Sequence, residues 1–151
     1  VGLNFGPVAV LGAHYVQAGH LSPAALMASV PVGLLIAAVL YINEFPDYEA
    51  DRQVNKKTLI VLLGPERARY GYIILIALTY AAVAAFVAFG GLPAWALLGL
   101  ATLPLAVKAT AVLMRRYREP YKLLPANALT ILVHFATGVL LAVGLALGRA
   151  A

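Results

Sequence analysis

Asp47 and Asp51 stand four residues apart in the most polar stretch of the chain, Asn43-Glu44-Phe45-Pro46-Asp47-Tyr48-Glu49-Ala50-Asp51-Arg52-Gln53-Val54-Asn55-Lys56-Lys57-Thr58. Asn43 precedes Asp47 by the same interval. Side chains at i and i+4 of a helix stack on one face, so three oxygen-bearing groups are expected to point together. Pro46 is tolerated in the first turn of a helix but not deep inside one. The preceding helix is therefore expected to end near Tyr41, and a short new helix to begin near Asn43. Two carboxylates one turn apart repel each other unless a cation lies between them. Mg²⁺ suits such a pair, because it prefers oxygen ligands and is usually held by one or two carboxylates plus substrate phosphates and water. Lys56 and Lys57 follow as compact positive charges suited to phosphate oxygens. The same residues have a plainer reading. Acids near a helix N-terminus complement the macrodipole, and lysines at a membrane face set topology. The pair alone does not separate the two.

The flanking elements favour a membrane site. Of the 151 residues, 63% are apolar and 11% charged, and the mean hydropathy is +0.90. Soluble domains carry roughly 25% charged residues, so this chain lacks the surface to coat a water-facing globule. Four segments reach the roughly 20 apolar residues that cross a bilayer core: Pro23 to Ile42, Arg69 to Phe89, Leu92 to Met114 and Leu123 to Leu147. A fifth, Leu3 to Ala18, is shorter and interrupted by Gly6, Pro7 and Gly12. The expected fold is all-α, a multi-span transmembrane bundle of about five helices forming a single domain over residues 1–151.

Breaker clusters at Gly19-His20-Leu21-Ser22-Pro23 and Gly90-Gly91-Leu92-Pro93 read as hairpin hinges. The connections Glu44 to Arg69 and Arg115 to Lys122 hold nine of the 11 basic residues. With five spans, both charged connections fall on one side and both hinges on the other, leaving Arg149 alone opposite. The positive-inside rule makes the charged side, with the aspartate loop, cytoplasmic in a multi-pass protein of the cell (inner) membrane. The net charge of +5 thus reads as topology, and no nucleic-acid partner is expected. Cysteine is absent, which excludes thiolate chemistry. The chain begins at Val1 with no basic residue before its first apolar run; it does not look like a signal peptide, and the start reads as a cut edge.

The pattern Asn43-x-x-x-Asp47-x-x-x-Asp51, with Lys56-Lys57-Thr58-Leu59 and Leu63-Gly64, resembles the second aspartate-rich motif of the UbiA superfamily of intramembrane prenyltransferases. Gly6 to Gly12, Tyr15 to Gly19, Pro31 to Leu35 and Leu124 to Ala128 are similar to the branch that prenylates 1,4-dihydroxy-2-naphthoate in menaquinone synthesis. At Glu44-Phe45-Pro46 the chain departs from that branch's Asn-Ile-Arg. The resemblance implies half of a nine-helix bundle in which two aspartate motifs face each other and Mg²⁺ bridges them to a polyprenyl diphosphate. It implies that Asp47 and Asp51 are catalytic metal ligands and that Asn43 supports them. Lys56, with Arg52 or Lys57, would grip the diphosphate, and the partners would be an aromatic acceptor and the lipid bilayer. The family's first motif, an Asn-Asp-x-x-Asp run, does not occur in these residues. The resemblance therefore covers the C-terminal half, and a missing N-terminal half carrying that motif is the expected partner; the chain alone is expected to be inactive.

Other readings remain beside it: prenylation of another acceptor such as 4-hydroxybenzoate, homogentisate or a tetrapyrrole, or a non-catalytic membrane subunit or fragment. A CDP-alcohol phosphotransferase would need an Asp-Gly-x-x-Ala-Arg core, which is absent. Among polar residues within the spans, Lys108 is expected to snorkel to the charged face. Asn127, Thr130, His134, Thr137 and Gly138 form a stripe expected to face protein, with His134 bonding between helices. His14, His20 and His134 lack ligand spacing. Tyr70, Tyr72, Tyr117 and Tyr121 read as interfacial belt residues.

Overall fold

The computed structural model describes residues 1–150, and side chains up to residue 148; the side chain of Arg149 lies outside the described residues. The described chain is helical throughout its regular structure. A π-helical turn, Asn4–Val8, leads into α1 (Ala9–Ala18). There follow α2 (Pro23–Asn43), α3 (Tyr48–Gln53), α4 (Leu59–Leu63) and α5 (Pro65–Ala88). A 3₁₀ segment (Ala94–Thr102) then continues as α6 (Leu103–Arg116), and α7 (Pro120–Ala150) closes the chain. Four stretches are long and apolar enough to cross a membrane: Pro23–Asn43, Pro65–Ala88, Ala94–Arg116 and Pro120–Gly148. The first segment is helical but falls short of that length.

Helix starts follow local chemistry. Ser22 Oγ accepts from the Ala25 N–H at 3.0 Å and Pro23 occupies the first helical position, which costs no hydrogen bond there. Pro65 starts α5 in the same way. Glu66, Arg67 and Arg69 therefore lie in the opening turns of that helix rather than in a loop. The second charged connection shrinks likewise, because α7 begins at Pro120. Its turn is held by Glu119, which accepts from Arg116 and from Lys122. These bonds, the Lys122 one foremost, hold its carboxyl below the ordinary range.

α7 packs along the 3₁₀–α6 span, and α2 lies against both α5 and α7. One core cluster, including Leu35, Ile42, Ile60, Tyr72, Leu113 and Leu123, fills the end next to the charged loops. A smaller one, with Ala28, Val83, Leu92, Ala96 and Leu141, fills the end next to the hinges. Hydroxyls bridge the helices between them. Tyr72 and Thr130 meet at 2.7 Å; Thr102 meets Tyr80 at 2.9 Å and Thr137 at 2.7 Å. Tyr41 Oη donates to the Ala68 carbonyl at 2.8 Å. Such bonds are worth about 0.6 kcal/mol on average within membranes, and up to about 1.7.

This places Tyr72 in the core, not in an interfacial belt: its ring is fully buried, on the α5 face shared with Ala68 and Ile76. Tyr70 and Tyr121 are exposed. Tyr117 lies under the Arg69 guanidinium, 4.5 Å from the ring centroid. Thr130 and Thr137 of the α7 stripe are buried, and with Asn127 they make its bonds, whereas Gly138 faces open space. His134 makes none, and its Nδ1 is shielded without a partner. His14 and His20 lie closer than their spacing suggests, with ring centroids 5.5 Å apart. Gly19 adopts φ +73° and turns the chain back, so that His20 Nδ1 reaches the Ala18 carbonyl. No group of three or more His, Cys, Asp or Glu side chains forms a metal cluster among the described residues. Lys108 is exposed, in a basic recess with Arg115, Arg116 and Lys122.

Gly33 lets the first segment touch α2. A Cβ there would lie 2.6 Å from the Gly2 carbonyl oxygen and 3.2 Å from Gly6 Cα, so backbone rather than a flexible side chain would have to move. Gly33→Ala is expected to lower stability by roughly 1–3 kcal/mol through overpacking. Gly138→Ala, where a Cβ meets nothing within 4 Å, should be neutral or stabilising. Thermal unfolding of both variants in detergent checks the contrast.

Candidate functional site

α2 carries on through Asn43, one half-turn past its expected end, before the chain breaks. Pro46 has no N–H to continue the ladder. The backbone instead closes with Phe45 N–H to Ile42 O and Tyr48 N–H to Phe45 O, both 3.3 Å. Asn43 is thus the last residue of one helix rather than the first of the next. Asp47 and Asp51 do lie one turn apart, with Asp51 N–H on Asp47 O at 2.8 Å. Asp47 takes the N-cap position of α3, yet its side chain makes no capping bond. Its exposed carboxylate is therefore available to a ligand.

Asp51 is only 8% exposed, and a buried carboxylate needs a counter-charge. Lys56 supplies it, with Nζ donating to Oδ1 and Oδ2, each at 3.0 Å. The chain returns for this contact through Asn55, at φ 55°, a left-handed position that Asn tolerates better than most residues. Lys56 N–H on Asp51 O, 2.9 Å, fixes the stem. The bond to Asp51 holds the Lys56 ammonium above its ordinary range, with Asp47 and Glu44 adding to the effect. Arg52 and Lys57 are exposed and make no ion pair among the described residues.

Asn43 leaves the aspartate face for the bundle. Its Oδ1 accepts from Asn127 Nδ2 of α7 at 2.7 Å. Asn127 belonged to the polar stripe in the sequence, but nothing local tied it to the loop 84 residues earlier. Glu44 is the other residue whose place the sequence did not reveal. It is half-buried, and Oε2 is shielded without a partner. Burial raises its carboxyl above the usual range, while Lys56 pulls the other way. It also lines an apolar groove of about 480 Å³ with Leu40, Tyr41, Leu63 and Ile74.

The residues suit a divalent cation of the hard type. Asp47 and Asp51 offer carboxylate oxygens, and an ammonium already occupies both oxygens of Asp51. No third protein ligand completes a cage among the described residues. Mg²⁺, which takes the rest of its shell from phosphate and water, would not need such a cage.

Fold and site together define a helical membrane protein with a paired acid–base loop at one end of an apolar bundle. The chain matches the UbiA prenyltransferase family over residues 1–133, and it belongs to that family. It is 34% identical over 145 residues to the 1,4-dihydroxy-2-naphthoate octaprenyltransferase of Escherichia coli, covering 96% of this chain and 47% of that protein. The Mycobacterium tuberculosis protein of the same name is 37% identical over 145 residues, covering 96% of this chain and 48% of its own. The 2-carboxy-1,4-naphthoquinone phytyltransferase of Synechocystis is 30% identical over 142 residues, covering 94% and 46%. The chain thus spans about half the length of these relatives. No solved structure matches it.

Glu44 generates a pH prediction. Its native carboxyl titrates above the unfolded one, so the native state holds the proton longer and stability is lost as pH rises through that interval. Glu44→Gln carries no such penalty. Its melting temperature relative to the parent should climb between about pH 4 and about pH 7. A difference that stays flat across this range would contradict the burial effect.

Proposed function

We propose that the complete protein transfers a polyprenyl group from a polyprenyl diphosphate to an aromatic acceptor, 1,4-dihydroxy-2-naphthoate in menaquinone biosynthesis. Support for prenyl transfer comes from family membership. The acceptor rests on the names of the relatives, which share a substituted naphthalene and differ in the isoprenoid. The observation that carries the site is Asp51, a nearly buried carboxylate locked to Lys56 one turn from a free Asp47.

In this reading Asp47 and Asp51 hold Mg²⁺, which when bound neutralises charge developing on the departing diphosphate. Lys56, Arg52 and Lys57 bind the phosphate oxygens and stabilise the same charge. Asn43, steadied by Asn127, orients the polar rim. The allylic C–O bond breaks and diphosphate leaves. The electron-rich ring of the acceptor attacks the allylic carbon and regains aromaticity by losing a proton from the attacked carbon, or CO₂ where the carboxylated carbon reacts, while apolar helix faces keep water from the cation. The concentration of basic residues at this end supports a cytoplasmic placement of the loop.

Asp47→Asn and Asp51→Asn, made singly in the complete protein, should each lower Mg²⁺-dependent turnover of 1,4-dihydroxy-2-naphthoate by about 100-fold or more. Turnover assays in membranes decide the matter, with protein amount checked by blot. Ordinary rates in both variants would remove the metal assignment.

A further inference from the structure

Lys56 occupies both oxygens of Asp51 at once, 3.0 Å from each. A metal bound by Asp51 would use those same lone pairs, so ammonium and metal compete for one carboxylate. The two ends of the lysine differ in freedom. Its backbone is tied down by the bond to the Asp51 carbonyl, whereas its side chain is 59% exposed. The head can therefore leave without unfolding the loop, on a flexible four-carbon stem. What makes it leave is a better anion, and a diphosphate beside Asp51 is one.

We infer that Lys56 couples metal binding to diphosphate binding: it is the counter-ion held on Asp51, and it gives up that carboxylate by moving to a phosphate. The inference rests on the reading of this loop as a metal–diphosphate site. Linkage then requires reciprocity, each ligand raising the affinity of the other by the same factor. Free metal is held weakly, because it must displace an ammonium that gains only water in exchange for the carboxylate. The metal–diphosphate complex is held tightly, because it brings the ammonium its new partner. Lys57, exposed and unpaired among the described residues, adds positive charge nearby without blocking Asp51. It separates simple repulsion from occupancy of the carboxylate.

The test uses the full-length protein in lipid nanodiscs with Mn²⁺ as an EPR-visible probe. Affinity is measured for Mn²⁺ alone and for its complex with geranyl S-thiolodiphosphate. Lys56→Gln should bind Mn²⁺ alone about fivefold or more tighter than the parent, and the complex about fivefold or more weaker. Lys56→Arg, which keeps a cation on Asp51, should resemble the parent toward Mn²⁺ alone; it also shows that the loop survives substitution. Lys57→Gln should weaken only the complex. If Lys56→Gln gains no affinity for Mn²⁺ alone, or if Lys57→Gln gains as much, the coupling role is overturned while the site reading stands. If no protein binds either Mn²⁺ or the complex, both fall.

Discussion

Hydrocarbon offers no water to a polar group, and a buried hydroxyl or amide left alone there costs several kcal/mol. That constraint organises the molecule. Backbone groups are satisfied within helices, and side-chain hydroxyls find one another across them. Tyr72 reaches Thr130, and Thr102 stands between Tyr80 and Thr137. Charged groups, which no such pairing would rescue in the middle of the bilayer, collect where helices end. The apolar bundle and the charged loop are thus two outcomes of one requirement.

At the loop the requirement becomes chemistry. α3 and α4 are too short to stand alone, so they are held by contacts with the bundle: Ile60 of α4 sinks into the core and Tyr48 of α3 packs against it, while the turn before them is anchored by Phe45 in the core and by Asn43 on α7. Seating the loop this way buries Asp51, and burial compels a partner. The partner available within the loop is Lys56. A carboxylate already engaged by an ammonium, beside another left free, is the arrangement on which the proposed exchange of one cation for another rests. At the neighbouring turn Arg69 stacks on Tyr117, while Arg118 pairs with Glu66 across the surface.

Several expectations from the sequence changed for reasons of packing. Tyr72 lies close to the charged end by residue count, yet the inward face of α5 takes it into the core. His14 and His20 lie six positions apart, with no helical register between them, because a left-handed glycine reverses the chain. The motif's first residue was expected on the aspartate face; the turn at Pro46 breaks the helix and sends it to α7 instead. Glu44 shows no signal beyond its neighbours in sequence, since its half-burial is set by α4 and α5 folding over it.

Composition and periodicity determined on their own that the chain is helical and apolar enough to cross a membrane, that its charge gathers in two connections, and that Asp47 and Asp51 lie one helical turn apart. Those properties are local: they depend on hydropathy, on proline and glycine, and on spacings within a few residues. A turn within the loop, at Asn55, brings Lys56 onto both oxygens of Asp51; tertiary structure alone decided which aspartate is buried and that Asn43 meets Asn127. Such contacts depend on the rotational phase of each helix against its neighbours. A few tens of degrees of rotation carry a side chain from lipid to core, and the sequence spacing that places Asp51 one turn from Asp47 says nothing about that angle.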